Sequence, residues 1–143
     1  YEHMILIIDD DIAVTTSLSL LLKSEGFESM TAASGYAALA LLNKNTFDLV
    51  ILDMNFSIDT TGKDGLLLLE KIKTQYPALP VILITGWATI ELAVQGMKLG
   101  ANDFINKPWQ NAHLMQSINT TLNLNTFTET ILTRKKINEK FDF

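Results

Sequence analysis

The stretch Ile5-Leu6-Ile7-Ile8-Asp9-Asp10-Asp11 decides how this chain folds. An apolar run ends in three acids with no spacer between them. Met4–Ile8 is short and wholly apolar, as expected of a strand buried on both faces of a sheet. The acids that close it repel one another. Two unit charges ~4 Å apart cost about 1 kcal/mol in water and several times that near a protein surface. Their grouping therefore asks for a cation, a helix N-terminus, solvent, or all three. From Asp11 the pattern changes. Val14, Leu18, Leu21 and Leu22 recur at helical spacing and Gly26 follows as a stop signal. Asp11 is read as the N-cap of that first helix.

The alternation continues along the chain. Phe27–Thr31 reads as a second strand. Ser34 caps a helix from Gly35 to about Asn43 that turns Ala38, Leu39 and Leu42 inward. Phe47–Leu52 is a third strand, ending at Asp53. A polar connection, Met54–Gly65, leads to a helix marked by Leu66, Leu69 and Ile72, which must stop before Pro77. Pro80–Thr85 is a fourth strand. Ile90, Ala93, Val94 and Met97 give another helical stripe, closed by Gly100. Asn102–Asn106 supplies a fifth strand and Leu114, Ile118 and Leu122 a last helix. Strands alternating with helices imply an α/β fold with a parallel sheet covered on both sides. In such sheets ligands bind beyond the carboxyl ends of the strands.

The residues at those ends are Asp9, Asp10 and Asp11, then Asp53, Thr85 and Lys107. In the order 2-1-3-4-5 they converge on one edge. Oxygen ligands of this kind suit a hard cation such as Mg²⁺. An Asp held beside it can act as a nucleophile toward a phosphoryl group, with cation, hydroxyl and ammonium stabilising the phosphoryl oxygens.

Composition narrows the field. The chain has 143 residues, 48% of them hydrophobic, enough for one domain with a core and a tail. A net charge of −5 argues against general nucleic-acid binding through this domain. There are no cysteines, which excludes disulfides, thiolate zinc sites and a cysteine nucleophile. No apolar run approaches the ~20 residues of a membrane span.

Four pieces, "IIDDD", "LVILDMN", "ILITG" and "INKPW", stand in this order at the strand ends. Together they resemble the receiver domain of bacterial two-component response regulators, over about residues 4–123. The resemblance implies a flavodoxin-like, doubly wound, five-stranded parallel sheet with five flanking helices. It implies that Asp53 is the phosphoacceptor, that Asp10 binds Mg²⁺ directly and Asp9 mainly through water, and that the backbone carbonyl of Asn55 is a further ligand beside Asp53 itself. Lys107 would pair with the acceptor carboxylate and then with the phosphate. Thr85 would be the switch hydroxyl and Phe104 the aromatic switch, where simple core packing is the competing reading. The Lys107–Pro108 bond is expected to be cis. A sensor histidine kinase would be the phosphodonor, the domain would be cytoplasmic, and the face of helix four, strand five and helix five would carry the output.

Several features depart from that pattern or lie outside it. The connection from Asn55 to Asp64 is about six residues longer than is usual in the resembled family. Its acids do not fit a calcium loop, and a lid, a partner contact and a plain insertion all remain open readings. Trp87 is either a shield against hydrolysis of the phosphate or a partner contact. His113 is given no role. Residues 1–3 read as an expression-tag remnant, and 124–143 as a helical linker. The ending "EKFDF" resembles the approach to the AAA+ domain of nitrogen-regulator-type activators, implying AAA+ and DNA-binding output domains elsewhere in a longer protein. A homodimer through the helix 4–strand 5–helix 5 face or the linker fits the same picture. The rival classes are a phosphorylation-independent interaction module, an Asp-nucleophile phosphatase and a flavin protein. The phosphatase would need a second acid where Asn55 stands, and the flavin protein a Gly/Ser/Thr-rich loop after the first strand.

Overall fold

The computed structural model describes residues 3–54, 63–86 and 90–123. Within them, β1 (Met4–Ile8), β2 (Glu28–Ala32), β3 (Leu49–Asp53), β4 (Val81–Thr85) and β5 (Asp103–Asn106) form one sheet in the order β2-β1-β3-β4-β5. Every neighbouring pair is parallel. The helices are α1 (Ile12–Ser24), α2 (Gly35–Lys44), α3 (Lys63–Gln75), α4 (Ile90–Lys98) and α5 (111–123). This is the expected architecture and order.

β1, β3 and β4 are apolar because both their faces are covered, while the edge strands β2 and β5 carry polar residues. On one face Leu6, Ile8, Val50, Leu52, Val81 and Leu83 pack under α2, α3 and α4. On the other, Ile5, Ile7, Leu49, Ile51, Ile82, Ile84 and Ile105 pack under α1 and α5. The strand period of two sends alternate residues to the two cores.

Local chemistry sets the helix ends. The Asp11 carboxylate accepts from the Ala13 N–H at 2.9 Å, and Ser34 Oγ accepts from the Ala37 N–H at 3.1 Å, as N-caps do. After α1 the Phe27 N–H donates to the Leu22 carbonyl at 2.9 Å, and Gly26, at φ 86°, donates to Lys23. This is the left-handed glycine stop of a Schellman motif, with Phe27 and Leu22 buried in the same apolar core. It spends Phe27 on the cap, so β2 starts one residue later than the sequence suggests. Gly100, at φ 106°, ends α4 in the same way.

Two features of the packing are not carried by the apolar pattern. Val94 and Met97 in the α4 stripe are 45% and 46% exposed, and α4 turns Leu92 and Gly96 to the sheet. The reason lies in Gly96: a Cβ there would stand 2.5 Å from Leu83 Cδ1, so the helix seats directly on β4. A glycine adds nothing to an apolar pattern, which hid this face. His3, set aside with the tag, is also part of the fold. Its carbonyl accepts from the Glu28 N–H at 3.0 Å, and its ring lies 5.8 Å from Phe27 and 3.6 Å from the Asp48 carboxylate. Asp48 also accepts from the Met4 N–H at 2.8 Å.

Candidate functional site

β1, β3, β4 and β5 are adjacent, so their carboxyl ends form one continuous rim. Asp9 continues the β1 ladder by one bond, its N–H donating to the Ala32 carbonyl at 3.0 Å. That bond draws Asp9 into the sheet edge, where it is 4% exposed. Its carboxylate accepts the Asp11 N–H at 3.0 Å. Asp10 points outward and is exposed. Asp53 closes β3 and is as buried as Asp9. Thr85 closes β4 and is fully buried.

Two main-chain bonds tie the rim together. The Met54 N–H donates to the Ile84 carbonyl and the Lys107 N–H to the Thr85 carbonyl, each at 2.8 Å. The second aims the Lys107 side chain back over the acids. Its ammonium lies 3.1 Å from Asp53 Oδ2 and 3.5 Å from Asp9 Oδ2. The Lys107–Pro108 bond is cis, as expected.

Electrostatics follow from this crowding. Burial is the largest influence on Asp9 and pushes its carboxyl up to about 6. The Asp53 charge and a hydrogen bond shared with Asp53 push the same way, while the Asp11 N–H and Lys107 oppose them. Asp9 therefore holds a proton more readily than an ordinary aspartate.

The carboxylates also meet the geometric demand of a metal. One oxygen each from Asp9, Asp10 and Asp53 lie within 4.8 Å of one another. Opposite ligands of a six-coordinate hard cation stand about 4 Å apart, so small side-chain adjustments bring the acids to a shared ion. Oxygen-only donors and one free-facing acid, Asp10, favour a cation that keeps much of its water.

The structure thus brings together Asp9, Asp10, Asp53, Thr85 and Lys107. Phe104 stands apart. It is half-buried on β5 and packs against the core under α2, α3 and α4. Asn55, expected to supply a carbonyl, lies outside the described residues, as do Trp87, the connection over 55–62 and the tail from 124. The second contact of Lys107, to Asp9, was not foreseen. No spacing in the sequence signals it, because it depends on how far Asp9 is drawn into the edge.

A family model described as the response regulator receiver domain matches residues 5–119. The chain belongs to that family. Receivers of this family serve phosphorylation-dependent signalling, and that is the function of this domain. Among similar proteins, an NtrX-like response regulator of Rickettsia bellii is 41% identical over 111 residues, 78% of this chain and 23% of that protein. The transcriptional regulatory protein ZraR of Salmonella typhimurium is 35% identical over 118 residues, 82% of this chain and 26% of that protein. The crystal structure of the receiver domain of NtrX from Brucella abortus superposes with a TM-score of 0.77 at 38% identity, covering 83% of this chain and 98% of that one. The chain thus spans about a quarter of the length of the curated relatives it matches. Among the described residues of this receiver, no helix is long and apolar enough to cross a membrane.

Proposed function

We propose that this receiver accepts a phosphoryl group on Asp53 from a sensor histidine kinase with Mg²⁺ bound. The observation that carries the proposal is the double contact of Lys107, 3.1 Å from Asp53 and 3.5 Å from Asp9, beside three acids close enough to share one ion. An Asp53 oxygen attacks phosphorus and the bond from phosphorus to the donor nitrogen breaks. Bound Mg²⁺ would neutralise phosphoryl charge, held by Asp9, Asp10, Asp53 and the Asn55 carbonyl. Lys107 moves from the Asp53 carboxylate to the transferred phosphoryl oxygens, and the Thr85 hydroxyl turns toward them. Phe104 then repacks between the sheet and α4, a local charge change read out by a packed element.

The readout face is α4, β5 and α5, where Val94 and Met97 already offer apolar surface. In a full-length protein the partners on that face are AAA+ and DNA-binding output domains, with homodimerisation through the same face or the linker. The names of the relatives support this reading, since they are transcriptional and response regulators much longer than this chain. The domain works in the cytoplasm, touches no nucleic acid itself, and loses its phosphoryl group by slow self-catalysed hydrolysis.

The test is intact-protein mass spectrometry after incubation with acetyl phosphate, with and without Mg²⁺, on wild type and Asp53→Ala. A metal-dependent gain of one phosphoryl group in wild type alone supports the proposal. No gain in wild type with Mg²⁺ bound overturns the acceptor role of Asp53 toward small donors. An equal gain in Asp53→Ala moves the acceptor to another residue.

A further inference from the structure

Gly65, in the first turn of α3, sits against the main chain of the residue that follows Asp53. A Cβ at Gly65 would lie 2.5 Å from the Met54 carbonyl oxygen, 2.8 Å from its Cα and 3.0 Å from its carbonyl carbon. All three are backbone atoms, so no side-chain rotation relieves the clash. At Gly96, by contrast, the close atom is the end of the Leu83 side chain.

Met54 has no room to retreat. Its N–H is bonded to the Ile84 carbonyl at 2.8 Å and its side chain is buried in the core under α3. Helix and peptide therefore meet at a distance that only a residue without a side chain permits. Asp53 is joined directly to that peptide.

We infer that Gly65 is a positioning residue for the acidic rim, holding the Met54 peptide, and through it the Asp53 carboxylate, in the direction that lets Asp53 share a cation with Asp9 and Asp10. The inference rests on the proposed metal-binding role of those acids. It also explains how the rim coexists with the long connection over 55–64. Residues 54 and 65 touch, so the connection is closed at its base and its length is not passed on to Asp53.

The experiment is an amide NMR titration of the whole chain with MgCl₂, on wild type, Gly65→Ala and Gly96→Ala, with phosphorylation by acetyl phosphate measured in parallel. In wild type the amides of Asp53, Met54 and Gly65 are expected to shift together along one binding curve. Gly65→Ala is expected to weaken Mg²⁺ by about tenfold or more, and to slow phosphorylation at least as much, with a dispersed spectrum. Gly96→Ala is expected to stay within about twofold of wild type, the scatter of independent sites. Mg²⁺ affinity within about twofold of wild type in Gly65→Ala would overturn the inference. Should that variant not fold, the wild type decides: a Gly65 amide that stays still while Asp53 shifts is equally fatal. Wild type with no Mg²⁺-dependent shift at Asp9 or Asp53 overturns the metal reading itself, and the inference with it.

Discussion

Lys107 Nζ lies 3.1 Å from Asp53 Oδ2, on a side chain one quarter exposed above a carboxylate that is almost wholly buried. The ammonium occupies the place that a metal or a phosphoryl oxygen would also seek. On the proposed function it would compete for the acids before phosphorylation and pair with the phosphate afterwards.

Replacing it separates those two roles. Lys107→Met removes the competing charge, so Mg²⁺ binding is expected to tighten. Phosphorylation by acetyl phosphate is expected to slow by about tenfold or more, because a charge that stabilises the phosphoryl oxygens is gone. Without metal the variant is expected to lose about 1–3 kcal/mol, the cost of buried acids left without their donor. Calorimetric Mg²⁺ titration, a phosphorylation time course and urea melts read the three quantities. Weaker Mg²⁺ binding in the variant would contradict the competition.

Acidity acts on Asp9. Its folded carboxyl stands at about 6, above the ~3.9 of an unfolded aspartate. Between those values the folded state holds the extra proton. This group's contribution to stability is therefore full below the unfolded value and is lost as pH rises through about 6. Metal-free wild type is expected to gain stability from this group as pH falls from 7 to about 5, and Asp9→Asn to lack that component. Mg²⁺ requires the ionised acid, so its affinity is expected to fall over the same window. Identical pH slopes for wild type and Asp9→Asn in metal-free urea melts would sink the assignment.

Asp10 and Asp11 are neighbours whose replacement is expected to have different effects. Asp11 caps α1, so Asp11→Ala is expected to cost about 1 kcal/mol in stability and little in Mg²⁺ affinity. Asp10 is exposed among like charges. Asp10→Ala is expected to leave the metal-free fold intact and to weaken Mg²⁺ by about tenfold or more. Thermal melts and metal titrations on both variants settle it, and a reversed pattern would exchange the two roles.

Gly96 and Leu83 are expected to be coupled. Gly96→Ala gains helix propensity of about 1 kcal/mol but overpacks Leu83 at a cost of about 1–3 kcal/mol, for a net change from about zero to a loss of about 2 kcal/mol. Leu83→Ala removes the atom in the way. The double variant should therefore be more stable than the sum of the two single losses. Strict additivity in urea melts would show that α4 does not rest on β4 at this point.

Much of this fold was legible because its three central strands are runs rich in Ile, Leu and Val that no amphipathic helix would use. Ile5–Ile8, Leu49–Leu52 and Val81–Ile84 declared a sheet buried on both faces, and the acids, Thr85 and Lys107 then fell at its rim. The failures have a common cause in residues that act through absence or through main chain. Gly96 directs α4 by having no side chain, so the apolar stripe with Val94 and Met97 does not tell which face meets the sheet. Phe27 was read as strand although its N–H serves the cap of α1. The approach of Lys107 to Asp9 depends on one hydrogen bond from Asp9 to Ala32, which side-chain patterns do not record.

Thr85 sits between two fastened neighbours. Met54 is bonded to the Ile84 carbonyl on one side and Lys107 to the Thr85 carbonyl on the other, each at 2.8 Å. Main-chain bonds thus hold the strand end on both sides, like a beam between two posts. A β-branched side chain on such a beam has only a few staggered stops about a single bond. On the proposed function, the Thr85 hydroxyl would therefore move in discrete clicks of one side chain rather than with a graded bend of the sheet.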